Sequence, residues 1–174
     1  KGFDVTALDL SNNSKTWQNQ IEQSGADIVF IALHGTYGED GCIQGLLETM
    51  HMPYTGSDVL ASALCMNKKL SKAVMQAQGI STPQTAVLQD GSPTAYPVFV
   101  KPVAEGSSVG LHYVQDEAAW SALDLFDEAY WLVETCVTGV EVAVGVLNGK
   151  ALPPVEVAPK SGMYDFDSKY TAGA

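Results

Sequence analysis

The run ADIVFIAL, residues 26–33, constrains the fold more than any other stretch of the chain. It is apolar almost throughout, the pattern of a strand covered on both faces, as in parallel sheets. It stops at HGTYGEDG, a polar loop holding Gly35, Gly38 and Gly41. Behind the loop, CIQGLLETMHM carries Ile43, Leu46, Leu47 and Met50 at helical spacing. Strand, loop and helix in that order are the unit of a parallel α/β sheet, where ligands collect at the strand C-terminal ends.

The flanks fit around that unit. FDVTALDL reads as a strand, and KTWQNQIEQSG as a short helix ended by Gly25. PYTGS turns the chain, and Ser57 or Asp58 can cap the helix VLASALC. From about Met66 the texture changes. MNKKLSKAVMQAQG predicts an amphipathic helix with Met66, Leu70, Ala73, Val74 and Ala77 on one face and Gly79 as its stop. A strand within ISTPQTAVLQ, a turn at GSP, and the strands YPVFVKP and LHYV follow. DEAAWSALDLF predicts a helix with acids in its first turn, where the helix dipole favours them. AYWLVETCV is strand-like. GVEVAVGVLNGKALPPVEVAP predicts a hairpin turning at Asn148-Gly149. KSGMYDFDSKYTAGA is a polar loop. The first strand has nothing before it and the last loop leads to no packed element, so the chain reads as a piece of a longer protein.

Composition excludes several classes. The 174 residues are 46% apolar and 17% charged, with a net charge of −11. So acidic a chain is a poor partner for nucleic acid or an anionic membrane surface. No segment approaches the about 20 uninterrupted apolar residues of a membrane helix, and acids interrupt the first residues where a signal peptide would be apolar. Cys42, Cys65 and Cys136 are scattered and form no metal spacing; they are expected as small buried residues in a reducing compartment. The three histidines are scattered as well, which argues against a Cys/His zinc site. All nine basic residues are lysines, and Lys68, Lys69, Lys72 and Lys101 fall in the central third. An anion bound here would meet a local lysine site on an acidic surface.

VKPVAEGSSVG, residues 100–110, is where such an anion fits. Glycines and serines let backbone N–H groups approach phosphate oxygens without a Cβ in the way. Lys101 stands at the base of the loop as a point charge, and Lys68 is a second candidate cation. The pattern is no P-loop, since no GK[ST] follows, and a kinase would place its glycine loop before the lysine rather than after it. A solvent-exposed turn with an incidental lysine is the competing explanation. Glu134 closes the apolar strand WLVET, where a casual acid is unexpected, and Glu141 follows. His34 closes ADIVFIAL at the mouth of its glycine loop, a position for a site residue.

Taken together, HGTYGEDGCIQGLLE, PYTGSDVLASALCMNKKLSK, PVFVKPVAEGSSVG, VETCVTGVEVAVGV and YDFDSKY resemble, in this order, the D-alanine–D-alanine ligases of the ATP-grasp superfamily. The resemblance covers nearly the whole chain. It implies an α/β fold of the α+β ATP-grasp kind. An N-terminal parallel α/β domain would run over 1–63, a central lid domain over 64–133, and the start of the C-terminal catalytic domain over 134–174, the first and last incomplete.

By that resemblance Lys68 and Lys101 would bind the ATP phosphates. The loop Glu105, Gly106, Ser108 and Val109 would close over them. Glu134, Thr135 and Val137 would hold the adenine, and Glu141 the ribose. Ser107 and Tyr170 would position the first D-alanine, Lys169 would approach the transferred phosphoryl group, and His34 would lie near the substrate carboxylate. Tyr170 beside Lys169 goes with dipeptide rather than D-alanyl-D-lactate synthesis. Where many members have Asp-Lys and Glu-Lys, this chain has Asn67-Lys68 and Glu134-Thr135.

The implied substrates are ATP and D-alanine, with Mg2+ or Mn2+ held by ligands expected beyond Ala174. The implied setting is a cytoplasmic homodimer serving peptidoglycan precursor synthesis. Other readings are a D-alanine–D-lactate ligase, another ATP-grasp carboxylate–amine ligase, and a non-catalytic nucleotide-binding module.

Overall fold

The computed structural model describes residues 2–10, 14–124 and 129–158. The chain divides into two compact units, Lys1–Asn67 and Lys68–Ala174. The sequence places its first boundary after Ala63 and its second after Val133, the latter within a strand of the second unit.

In the first unit a short 3-10 turn, Ser14–Thr16, leads into α1, Trp17–Ser24. Gly25 ends α1 in the left-handed conformation, φ 65°, a position that costs a side-chain-bearing residue but not glycine. Strand β1, Val29–Phe30, is followed by the glycine loop, by α2, Cys42–Thr49, and by β2, Tyr54–Thr55. β1 and β2 pair in parallel, Val29 with Tyr54 and Phe30 with Thr55, so the predicted parallel unit is present. Ile21, Ile43 and Leu47 are fully buried, with Leu10 and Trp17 closing the core. α3, Val59–Met66, is capped by Asp58, whose carboxylate accepts from the Ala61 N–H at 2.8 Å.

Three expectations for this unit change. The run 26–33 is covered on one face only: Val29, Ile31 and Leu33 pack against the core, while Ile28 and Phe30 are exposed, and the paired strand is just Val29–Phe30. Residues 2–10 form no strand; Phe3 and Val5 are exposed, and only Leu10 reaches the core. A strand needs a ladder partner, and none of the described residues pairs with this segment. The cysteines are not buried either: Cys42 and Cys65 are exposed and Cys136 is half-buried.

The second unit opens with α4, Lys68–Ala77. β3, Leu88–Gln89, and β4, Ser92–Pro93, form a small hairpin that turns at Asp90-Gly91 rather than at the predicted GSP. β5, Val98–Pro102, is the central strand of a sheet ordered β6-β5-β7, with β6 at His112–Val114 and β7 at Trp131–Thr135. Both pairings are antiparallel. Between β6 and β7 lies α5, Glu117–Ser121, capped by Asp116.

Alternation along β5 sorts the sheet into two faces. Val98 and Val100 meet Val114 and Val133 in the core, packed by Ala119 and Trp120 of α5. Phe99 and Lys101 point the other way, the same way as Glu134 and Leu132 opposite them. Beyond β7 come β8, Val142–Ala143, β9, Val146–Leu147, β10, Lys150–Ala151, and β11, Val155–Glu156. β9 and β10 turn at Asn148-Gly149, both with positive φ, as the sequence predicts. β8 pairs with β11. Among the described residues no helix is long and apolar enough to cross a membrane.

Helix α4 inverts its expected orientation. Leu70, Ala73, Val74 and Ala77, the predicted inward face, are exposed, and Lys72 is the buried residue. The reason lies across from it, in the acid of β7.

Candidate active site

Glu134 is only 5% exposed, and a lone buried carboxylate is costly. Its two oxygens are shared out. Oε1 accepts from the Lys72 ammonium at 2.6 Å, and Oε2 accepts from the Lys101 ammonium. The sheet register explains the second contact: Lys101 lies opposite Leu132, which sets it diagonal to Glu134 on the same face. The helix supplies the first. Burial pushes the Glu134 carboxyl up, but hydrogen bonds from Lys101 and Lys72 outweigh it and hold the group below the usual carboxylate range.

Lys68, one helical turn before Lys72, donates to the main-chain carbonyl of Glu105. Its own N–H donates to the Val103 carbonyl at 2.9 Å. Burial, and then the nearby Lys101 charge, push the Lys68 pKa down, against the pull of Glu105 and Glu134. Three ammonium groups, on Lys68, Lys72 and Lys101, thus stand around one buried carboxylate at the foot of the loop that leaves β5.

That loop turns through Ser107, φ 52°, Ser108, φ 59°, and Gly110, φ 68°. The Val109 N–H donates to Gly106 and the Leu111 N–H to Ser108. A Cβ on Gly110 would fall 2.8 Å from Cγ of Pro102, so glycine is required there for space as well as for conformation. The Glu105 side chain accepts from the Tyr130 hydroxyl at 3.5 Å.

The other candidate residues fall in three places. Thr135 closes β7, its N–H donating to the Gln84 carbonyl at 2.9 Å, and Val137 beyond it is exposed. Glu141 is exposed, and its carbonyl accepts from the Val157 N–H next to the β8–β11 pair. His34 belongs to the first unit, with an 82% exposed side chain and Nδ1 3.9 Å from Glu39. The acids of its loop are occupied by the backbone: Glu39 accepts from the Gly35 N–H, and Asp40 from the Tyr37 and Cys42 N–H groups. Burial raises the Asp40 pKa, but these N–H donors outweigh it and leave the carboxyl below its ordinary value. Lys169 and Tyr170 lie outside the described residues. Among the described residues no group of three or more His, Cys, Asp or Glu could hold a metal ion.

Lys72 is the member of the cluster that sequence reasoning did not single out. The available signal was its spacing: positions 68 and 72 share one face of a helix, and the face with Lys68 was already suspect.

The comparisons with known proteins agree across the chain. A family model described as D-ala D-ala ligase C-terminus matches residues 61–174, and one described as D-ala D-ala ligase N-terminus matches residues 4–57. The D-alanine–D-alanine ligase of Syntrophotalea carbinolica is 44% identical over 99% of this chain and 58% of its own length. That of Aquifex aeolicus is 44% identical over 99% of this chain and 61% of its own length. The crystal structure of D-alanine–D-alanine ligase from Bacillus anthracis complexed with ATP aligns with a TM-score of 0.71 at 30% identity, covering 91% of this chain and 55% of that one. The chain spans little more than half the length of these relatives. The fold is therefore the mixed α/β ATP-grasp fold. Within that class, the chain belongs to the D-alanine–D-alanine ligase family.

Proposed function

We propose that the protein carrying this chain joins two D-alanines at the expense of ATP. The observation that carries this reading is the lysine cluster around Glu134 beneath the loop 105–110, in a chain that matches the family from end to end. Lys68 and Lys101 take the phosphates. The loop's backbone N–H groups and small side chains close over them and exclude water. Thr135 and Val137 border the adenine and Glu141 the ribose. Ser107, with Tyr170, orients the first D-alanine, while Lys169 meets the transferred phosphoryl group and His34 the substrate carboxylate.

In the first step a carboxylate oxygen of one D-alanine attacks the γ-phosphorus, the bond to the β–γ bridging oxygen breaks, and ADP departs. In the second, the amine of another D-alanine attacks the acyl phosphate carbon, gives up a proton, and phosphate leaves. Positioning and charge neutralisation supply most of the catalysis in phosphoryl transfer. Mg2+ belongs to this reading as a charge-neutralising ion on the phosphates, but the described residues present no cluster that fits it, and no step is assigned to it. The same reading places the protein in the cytoplasm, as a homodimer, in peptidoglycan precursor synthesis.

The test is a product assay on the full-length protein with ATP and D-alanine. The reading expects ADP, phosphate and D-alanyl-D-alanine in equal amounts. D-alanyl-D-lactate as the main product when D-lactate competes would replace it with the ester-forming ligase. ATP binding without turnover would replace it with a non-catalytic nucleotide module.

A further inference from the structure

The Lys72 ammonium pairs with Glu134, and Lys72 is the most deeply buried cation described, 6% exposed. Burying an ammonium under a sheet is costly where an apolar side chain of the same length would pack without a charge. Its contact with Glu134 Oε1 leaves Oε2 for Lys101, one lysine to each oxygen. We propose that Lys72 is a positioning residue of the nucleotide site, sharing the Glu134 carboxylate so that Lys101 is held in place while its charge stays uncancelled. The inference rests on the ligase reading of the site.

Charge counting shows what the sharing does. Lys101 and Glu134 alone would be a neutral pair, and the ammonium would be drawn onto both oxygens. With Lys72 added, the trio carries one net positive charge, and Lys68 stands nearby under the pull of the Glu105 carboxylate. Lys68 is held by a neutral carbonyl, which cancels none of its charge. Lys72 and Lys68 come from the same helix one turn apart, so α4 delivers one lysine to aim the site and one to complete it. Unlike Lys72, Lys101 is partly open, its side chain 28% exposed, and can meet an anion.

The experiment measures ATP affinity by calorimetry, and KM for ATP and for D-alanine, in full-length protein carrying K72Q, K72R or K72Q/E134Q. Glutamine keeps a hydrogen bond to Glu134 and removes the charge. K72Q is expected to weaken ATP binding about tenfold or more, raising KM for ATP while KM for D-alanine changes by less than about twofold. K72R should recover most of the loss. The double variant should bind ATP more tightly than K72Q, because the acid that cancels Lys101 is gone. Wild-type ATP affinity in K72Q, or a double variant no better than K72Q, overturns the proposal. Should K72Q alone fail to fold, K72M, which keeps the length of the side chain and carries no charge, decides: ATP affinity weakened beyond about threefold with KM for D-alanine unchanged supports the sharing, and wild-type affinity overturns it. A wild-type protein that binds no ATP contradicts the ligase reading itself, whereas wild-type binding with an unaffected K72Q removes only the role of Lys72.

Discussion

The Lys68 ammonium donates to the main-chain carbonyl of Glu105, 37 residues away in sequence. The first turn of α4 is thereby tied to the mouth of the loop that leaves β5. A second bond, from the Lys68 N–H to the Val103 carbonyl, repeats the tie at the backbone. This one lysine therefore both fixes where the loop starts and offers it a charge.

Replacing Lys68 with Met removes both effects. ATP affinity is expected to fall about tenfold or more, the worth of a charge-assisted hydrogen bond. Amide exchange at Val109 and Leu111 should quicken, because the loop loses its anchor. Calorimetry and hydrogen exchange on the same variant check the two halves separately. Slower or unchanged exchange would mean that the backbone bond alone holds the loop.

The Glu134 cluster predicts a pH dependence of stability. The folded pKa of Glu134 is held below its ordinary value of 4.5. The folded state therefore binds this proton less readily than the unfolded chain does. The resulting stability is fully present above about pH 4.5 and is lost as pH falls through the lower folded value. Glu134→Gln, which leaves Lys72 buried without its counter-ion, should cost about 3–5 kcal/mol at neutral pH. The gap between wild type and variant should narrow as pH drops below that window. Denaturant melts at a series of pH values measure it, and a gap constant with pH would contradict the cluster.

Gly110→Ala tests the loop geometry. Its Cβ would press on Pro102, and its φ of 68° is unfavourable for alanine. The left-handed backbone alone is worth about 1–2 kcal/mol. The expected result is a higher KM for ATP with a small loss in melting temperature, since the strain falls on the loop rather than on the core. Equal KM values would show that the loop conformation has no part in nucleotide use.

Val100→Ala tests the other face of the same strand. Val100 is fully buried against Val114 and Val133. Removing its two methyls should destabilise the second unit by about 2 kcal/mol, through lost transfer energy plus the cavity left behind. Chemical denaturation reads this directly.

Much of this was legible in the sequence because local chemistry decides it. Gly25 stops its helix through a left-handed φ, Asp58 caps with a carboxylate, and Asn148-Gly149 supplies two positive-φ residues to a hairpin. The alternation in VFVKP shows which valines face the core, and it places Lys101 on the opposite face. What was not legible depends on distant partners. FDVTALDL has the composition of a strand but no ladder to join among the described residues. The apolar stripe of α4 suggested Leu70 and Val74 as the buried face. A charge sixty-two residues away, on Glu134, makes Lys72 the inward residue instead. Periodicity reports hydrophobicity along one helix and carries no information about an acid on another strand.

The central claim is that ATP phosphates rest on Lys101 and Lys68 beneath the loop 105–110. The most direct measurement is the ATP dissociation constant of full-length Lys101→Ala beside wild type. Glu134 keeps Lys72 in this variant, so the fold should survive, and a matching far-UV spectrum and melting curve establish that it has. The account predicts affinity at least about tenfold weaker, with turnover falling accordingly. A folded Lys101→Ala protein that binds ATP as tightly as wild type would contradict it.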